Sequence, residues 1–364
     1  MLSTETNTSV ILSSPGITAG FDRIDPLTDS RWPEFLQRHP RASVFHSRGW
    51  LRALRDTYGY RPLVYTTALP GQPMRDGAVF CEVKTWLIQP RLVSLPFSDH
   101  AEPLMGSQED LLALLTHLRQ EVSEGRWTSI ELRPPGRHGE WPGFQDGTQY
   151  VMHSLDLQST LESLFKRLNK DSTQRKIRRA VRDGLRYEEG RTEELLQTFF
   201  RLVVMTRRRK ALPPPPLAWF RNVIKDLGDH AKIRIARTRA GQPAGAILTL
   251  SFKDSMLFKY GASDATFHSS GTMPFLLWRA IEDAKATGGS VFDFGRTDVD
   301  HLGLIRFKDH FGTEQTPLQH KICSAEPSKH NSSKWKLRAA SAVFGKLPDS
   351  ALILAGRLIY PHIG

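Results

Sequence analysis

The chain has 364 residues, a formal net charge of +12 and two cysteines, Cys81 and Cys323, far apart in sequence. That length suits about two domains of ~100–200 residues, and the lone cysteines exclude a disulfide framework or a cysteine-rich metal site, so a reducing compartment is expected. The excess positive charge favours polyanionic partners: nucleic acid, phosphorylated precursors or an anionic membrane face. No run approaches the ~18 apolar residues of a membrane span. The opening MLSTETNTSVILSSPGITAG lacks the cationic start and the longer apolar core of a secretory signal. A cytoplasmic protein, with peripheral contact to the inner face of the plasma membrane, is the expectation.

In chain order, residues 1–19 read as a disordered tail and 20–150 as a first α/β unit. Helices are expected over 29–37 and 48–58, then the turn Gly71-Gln72-Pro73 and a strand through Gly77-Ala78-Val79-Phe80. A second apolar segment runs Arg91-Leu92-Val93-Ser94-Leu95, followed by an amphipathic helix over 109–124, the stop Gly125 and a short strand over 129–133. A second unit spans 151–326 and opens with a helical pair over 160–182 and 193–210. It then repeats the pattern: Gly241-Gln242-Pro243, Gly245-Ala246-Ile247-Leu248, Met256-Leu257-Phe258-Lys259-Tyr260, a helix over 274–287, Gly288-Gly289 and a strand over 290–294. The glycines fit as helix stops because they take the left-handed conformation cheaply. Matching order and paired Gly-Gln-Pro starts point to a duplicated unit. The fold class is therefore α/β, two tandem copies with mixed sheets and helices on both faces. Residues 327–364 form a basic, amphipathic tail.

Four stretches carry a family resemblance over about residues 40–325. They are Ser94-Leu95-Pro96-Phe97-Ser98-Asp99; the basic run from Lys176 to Leu185; Thr206-Arg207-Arg208-Arg209 with Leu212-Pro213-Pro214; and Phe292-Asp293-Phe294-Gly295-Arg296 leading to Phe307-Lys308-Asp309-His310-Phe311-Gly312. Together they resemble the Fem-related (FemAB-like) aminoacyl and peptidyl transferases, a branch of the GNAT acyltransferase superfamily that includes proteins encoded near exopolysaccharide genes. The resemblance implies tandem GNAT-like domains with the acceptor in a cleft involving both. Fem transferases move an aminoacyl group from aminoacyl-tRNA to an amine of a peptidoglycan precursor, whereas other GNAT relatives use acyl-CoA. Both reactions pass through a tetrahedral, negatively charged state that needs oxyanion donors and a proton route.

By that resemblance Lys308, in the Phe-Lys-x-x-Phe-Gly pattern, lies at the transfer site and stabilises developing negative charge, with Phe307 shaping its surroundings. The plain alternative is a solvated helix lysine beside Asp309. Asp293 and Arg296 flank Gly295 at a strand end, where α/β sheets present functional groups; they anchor an acceptor or pair with one another. Asp99 and His100 follow the Ser-Leu-Pro-Phe segment and supply a base or satisfy a loop. Tyr260 is a further candidate substrate contact. Arg175, Arg178, Arg179 and Arg182 fall on one helix face, suited to diphosphate, tRNA backbone or anionic lipid, with Arg207 in a second cluster.

The donor question turns on His268-Ser269-Ser270-Gly271-Thr272-Met273-Pro274. A helix-opening glycine loop cradles pyrophosphate with backbone N–H groups, and Ser270, Gly271 and Thr272 are the cofactor-binding candidates. His268 and Met273 depart from the CoA-binding Arg/Gln-x-x-Gly-x-Gly/Ala pattern, and Pro274 removes one donor. No tightly bound cofactor is expected; the donor is aminoacyl-tRNA or acyl-CoA. No HExxH, Walker, dinucleotide or nucleophile-elbow pattern occurs.

The tail carries Lys334-Trp335-Lys336-Leu337-Arg338 and, later, Ala351-Leu352-Ile353-Leu354 through Tyr360. These segments either lie on an anionic membrane or dock back on the protein. The reading is a Fem-like acyltransferase forming an amide on a phosphorylated or lipid-linked envelope or exopolysaccharide precursor. An acetyl- or acyl-CoA-dependent N-acyltransferase is the alternative, and a non-enzymatic RNA- or membrane-surface-binding protein the third reading.

Overall fold

The computed structural model describes residues 20–85, 88–136, 138–325, 344–345 and 347–363. The tail expected over 1–19 and most of the basic stretch 334–344 lie outside the described residues.

The first run of elements is β1 (Asp22–Ile24), α1 (Arg31–Arg38), α2 (Arg48–Tyr58), β2 (Arg61–Thr66), β3 (Ala78–Thr85), β4 (Ile88–Val93), α3 (Gln108–Ser123) and β5 (Ser129–Leu132). Strand β6 (Gln145–Asp156) and helices α4 (Leu161–Arg167) and α5 (Arg175–Arg182) follow. The second run repeats the first: β7 (Arg186–Gly190), α6 (Glu193–Arg209), α7 (Leu217–Leu227), β8 (Ala231–Arg237), β9 (Pro243–Phe252), β10 (Ser255–Ser263), α8 (Thr272–Ala286) and β11 (Val291–Asp298). The described chain ends with α9 (Leu302–Asp309), β12 (Glu314–Ser324) and α10 (Asp349–Ile359).

Local signals set most boundaries. Ser47 accepts from the Trp50 N–H to open α2, and Gly59, at φ 74°, closes it. Ser107 opens α3 by accepting from Asp110 N, with Glu109 and Asp110 in the first turn. The helix expected over 160–182 is broken, because Leu168 turns extended and the Asn169 side chain accepts from Ser172 N. A cap in mid-sequence offers the backbone an alternative to the helix, which restarts through a π turn, Lys170–Gln174, into α5. Helix α7 is absent from the sequence reading; Pro216, the last of a run of prolines, is its N-cap. The counterpart of α1 and α2 is thus α6 and α7, both between the first and second strands of their run.

One mixed sheet carries both runs, in the order β1-β2-β3-β4-β5-β12-β6-β11-β10-β9-β8-β7. In each run four antiparallel strands are followed by a helix and a fifth strand parallel to the fourth, β5 beside β4 and β11 beside β10. Strands β6 and β12 close the middle: β12 pairs with β5 and β6, and β6 with β11. β6 crosses residue 150, so the two halves share hydrogen bonds.

The equivalent helices α2 and α7 meet across the halves. Trp50 and Trp219, both fully buried, pack edge to face at 5.0 Å. Gly49 permits this approach, since a Cβ there would lie 2.6 Å from the Asp226 carbonyl oxygen. The interior around this seam joins residues of both halves, from Trp32 and Phe45 to Phe220 and Leu248.

Parallel pairing of β10 with β11 ends at Leu257 opposite Asp293. Just beyond, β10 bulges at Lys259 against β9, and β11 shifts register between Asp293 and Arg296 against β6. Bulges bend and twist the strand that carries them. A cavity opens where the two strands part.

Candidate active site

The cavity has a volume of about 520 Å³ and lies between the parting strands, the start of α8, the end of α6 and the inner face of α9. Its cationic lining is Lys176, Arg209, Lys210, Lys259, Arg296 and Lys308, against the single carboxylate of Asp99 among the described residues. Such a lining favours a ligand that brings, or develops, negative charge.

Lys308 is 2% exposed. Its Nζ donates to the carbonyl oxygens of Gly295 at 2.7 Å and Arg296 at 3.2 Å, which ties α9 to the bulge of β11. Burial pulls its pKa down to about 8, against the opposing charges of Asp99 and Asp293. It is an interior group on the cavity wall. Phe307 lines the same cavity and packs on Phe311 at 5.5 Å.

Asp99 reaches this site from the first half. Lys259 Nζ donates to its Oδ1 at 3.0 Å. Burial alone would raise the Asp99 carboxyl, but the charges of Lys259, Arg296 and Lys308 outweigh it and hold the pKa below the ordinary value. Burial draws Lys259 downward, with Asp99 opposing, and Phe45 and Tyr260 rings stand 5.1 and 5.5 Å from its ammonium. The loop that delivers Asp99 holds Leu95 and Phe97 at φ 64° and 60°, left-handed values that cost roughly 1–3 kcal/mol each outside glycine. Its hold comes from Arg133 Nη1 and Ser98 Oγ donating to the Leu95 carbonyl and from Phe97 packing on Tyr58, Trp219 and Tyr360. Gly295 completes the fit: at φ 69°, a Cβ there would lie 3.0 Å from Asp99 Oδ2.

Arg296 lines the cavity, its guanidinium 4.4 Å from the Tyr150 ring centre and 3.2 Å from His320 Nε2. Asp293 does not line it. It accepts from Gly295 N at 2.7 Å, stands 3.7 Å from His100 Nε2, and faces a separate cavity of about 350 Å³. Its place is to hold the bulge. Tyr260 also faces away, its hydroxyl accepting from Trp219 Nε1 at 2.9 Å and its ring packed on Phe220.

Beside the cavity runs an open groove of about 750 Å³, lined by Lys170, Arg175, Arg178, Arg179 and Arg182 with Asp171 and Asp183. Lys176 borders both spaces. Arg178 donates to Gln174 Oε1 and covers the Phe165 ring at 5.3 Å, and Arg179 pairs with Asp183. From the second arginine cluster, Arg209 reaches the cavity with Thr206 and Lys210, and Arg207 does not line it. Thr272, Met273 and Pro274 line the cavity at the start of α8, with His268, whose Nε2 meets Ser263 Oγ at 3.0 Å. Gly271 is needed there because a Cβ would lie 2.3 Å from the Lys176 carbonyl oxygen. Ser270 lines neither space, and its neighbour Ser269 borders the groove.

Sequence reasoning passed over Lys259 and read Lys176 only as part of the basic run. The available signal for Lys259 was a charged side chain inside an otherwise apolar strand.

Residues 169–308 match the family model of the acetyltransferase (GNAT) domain, and the duplicated order of elements extends that architecture over both halves. Residues 169–308 thus carry a GNAT-type acetyltransferase domain. Among solved structures it is similar to FemX, at 14% identity over 82% of this chain and 96% of that one, TM-score 0.62. It is also similar to L-PGS from Bacillus licheniformis (10%, 87% and 97%, TM-score 0.52) and to a tandem GNAT protein from the clavulanic acid biosynthesis pathway (13%, 85% and 99%, TM-score 0.53). At these identities the likeness is one of fold, and the Fem-like resemblance holds at that level. No curated protein matches the sequence.

Proposed function

We propose that the protein forms an amide by transferring an aminoacyl or acyl group to an amine of a phosphorylated, lipid-linked cell-envelope or exopolysaccharide precursor. The observation that carries this reading is Lys308, buried at the meeting point of α9 and the β11 bulge, on the wall of a cavity joined through Lys176 to a basic groove.

The acceptor nitrogen attacks the donor carbonyl carbon. A C–N bond forms, and the carbonyl electrons move to an oxygen that Lys308 stabilises while protonated. Collapse breaks the bond to the leaving oxygen of an ester, or sulfur of a thioester, and the proton shed by nitrogen balances that leaving group. With its pKa drawn to about 8, Lys308 exchanges a proton near neutrality more readily than an exposed lysine. Asp99 acts through Lys259 and Lys308 by setting the charge of the wall, and Asp293 by holding the bulge that presents the two carbonyls to Lys308. Arg296 and Phe307 shape the acceptor side. Arg175, Arg178 and Arg179 receive phosphate, with Arg207 behind them.

The groove supports a donor with an extended phosphodiester, as in aminoacyl-tRNA. Acyl-CoA remains the second reading, favoured by the acetyltransferase model over 169–308 and by Thr272 and Met273 on the cavity wall at a helix start. Calorimetry with acetyl-CoA against retention of charged tRNA separates the two.

Mass spectrometry of envelope precursors and polysaccharide from cells with and without the gene tests the reaction. The expected result is a mass increase of one aminoacyl or acyl unit, dependent on the gene and lost with Lys308→Ala. Identical precursors in both strains refute it. A phenotype that survives Lys308→Ala but not reversal of Arg178 and Arg179 points instead to a non-enzymatic RNA- or membrane-binding role.

A further inference from the structure

The last described segment is fixed on one side and apolar on the other. On its inner side, Gly356 lies against Pro214, where a Cβ would meet the carbonyl oxygen at 2.0 Å. Leu352 and Tyr360 are buried. Tyr60 of the first half donates its hydroxyl to the Pro361 carbonyl at 3.0 Å, and His362 Nδ1 meets Thr85 Oγ1 at 2.9 Å. The helix α10 therefore spans both halves as a pinned element. On its outer side, Leu354 and Leu358 are 54% and 63% exposed, and Ile363 just beyond is 56% exposed. Residues four apart share a helix face, so the two leucines stand side by side, with the exposed Arg357 next to Leu358 and the exposed Asp349 at the start of the helix.

Exposed apolar residues scattered singly are ordinary. Here they are gathered on one short helix, and the charges around it are Arg207, Arg208, Arg209 and Arg357 against Asp349 and Asp264, a net positive balance. α10 packs on α6, whose last turn is Arg207, Arg208 and Arg209. Asp349, the acid of α10, is neutralised by Arg208 at 2.6 Å. A small cavity beside the two helices is lined by Arg208 and Arg209, by Asp349 and Asp264, and by Ala265 and the 42% exposed Met205. Arg209 also lines the Lys308 cavity. No described helix is long and apolar enough to cross a membrane.

We propose that the outer face of α10, with the arginine-rich end of α6, is a docking surface for an anionic lipid bilayer, Leu354, Leu358 and Ile363 entering the headgroup boundary and the arginines meeting lipid phosphates. An apolar face with a net positive border is the composition that lies in that boundary. Because α10 is already held by its inner side, insertion orders little that was free, which lowers the cost of binding. Arg209, shared by this surface and the Lys308 cavity, then lies near the bilayer, an arrangement that suits a lipid-linked acceptor. The docking itself does not depend on the acyl-transfer reading.

Co-sedimentation of the full chain with phosphatidylcholine vesicles, with and without about one third phosphatidylglycerol, tests this. The expected result is binding to the anionic vesicles only, weakened by salt and reduced roughly tenfold or more by Leu354→Gln with Leu358→Gln. Both side chains face solvent, so the double variant keeps the thermal unfolding midpoint of the parent. Lys308→Ala binds vesicles as the parent does, whether or not it transfers acyl groups. No binding, or equal binding by the double variant, overturns the proposal. So does a concentration-dependent dimer that the double variant abolishes, since a second copy would then be the occupant of the face.

Discussion

Replacing Lys308 with methionine should make the protein more stable at pH 7 while removing its activity. Lys308 is 2% exposed, and its pKa falls from 10.5 to about 8 chiefly through burial. That fall corresponds to about 3 kcal/mol of cost for holding the ammonium in the folded protein at pH 7. The folded state releases this proton before the unfolded state does, so the cost is fully present below pH 8 and is relieved as pH rises from about 8 to 10.5. Methionine removes the cost but leaves the Gly295 and Arg296 carbonyls without their donor, a loss of about 1–2 kcal/mol. The net expectation is a gain of about 1–2 kcal/mol at pH 7 that declines and changes sign by about pH 10. Urea unfolding of both proteins from pH 6 to 10 measures it directly. On the activity side, loss of an oxyanion donor costs about 100- to 1,000-fold in kcat. A variant that is less stable than the parent by the same amount at every pH would refute the assignment of a strained, buried ammonium.

Asp99→Asn should destabilise by about 3–5 kcal/mol, because it leaves Lys259 buried without its counter-charge; pairing it with Lys259→Met should restore most of that loss in the same unfolding assay. Asp99 has a depressed pKa, so its contribution is present above the unfolded carboxylate value and disappears as pH falls through the folded one. The Asn variant should therefore lose the acid limb of the stability profile. Reversing Arg178 and Arg179 to glutamate should raise KM for the phosphate-bearing substrate and flatten its salt dependence, with kcat nearly unchanged. A kcat loss equal to that of a Lys308 variant would place those arginines at the reacting centre instead.

Much of the frame was legible because it is local. Glycine stops and the repeated Gly-Gln-Pro turns act within a few residues of themselves, and the duplicated order survives into the paired runs β1–β5 and β7–β11. The face of arginines on 175–182 was readable for the same reason, since helical spacing alone puts them together. The broken helix at Asn169 was less so: a cap and a helix interior compete closely there, and tertiary contacts decide, as when Asn169 N and Ser172 Oγ reach His310. The role of β6 and β12 as shared central strands depends on long-range pairing that no local pattern specifies.

The sequence by itself determined many of the elements, their doubling and a lysine set in a recognisable Phe-Lys pattern. Only the tertiary structure decided which neighbours face the cavity. Successive residues of a strand point to opposite sides, so Lys259 meets Asp99 while Tyr260 turns into the aromatic core. A bulge then upset the alternation again, leaving Asp293 behind Gly295 and Arg296 in front. Charges separated by 160 residues became partners because the strained loop of the first half enters the gap between two strands of the second. That gap is a property of packing, which a linear pattern does not contain.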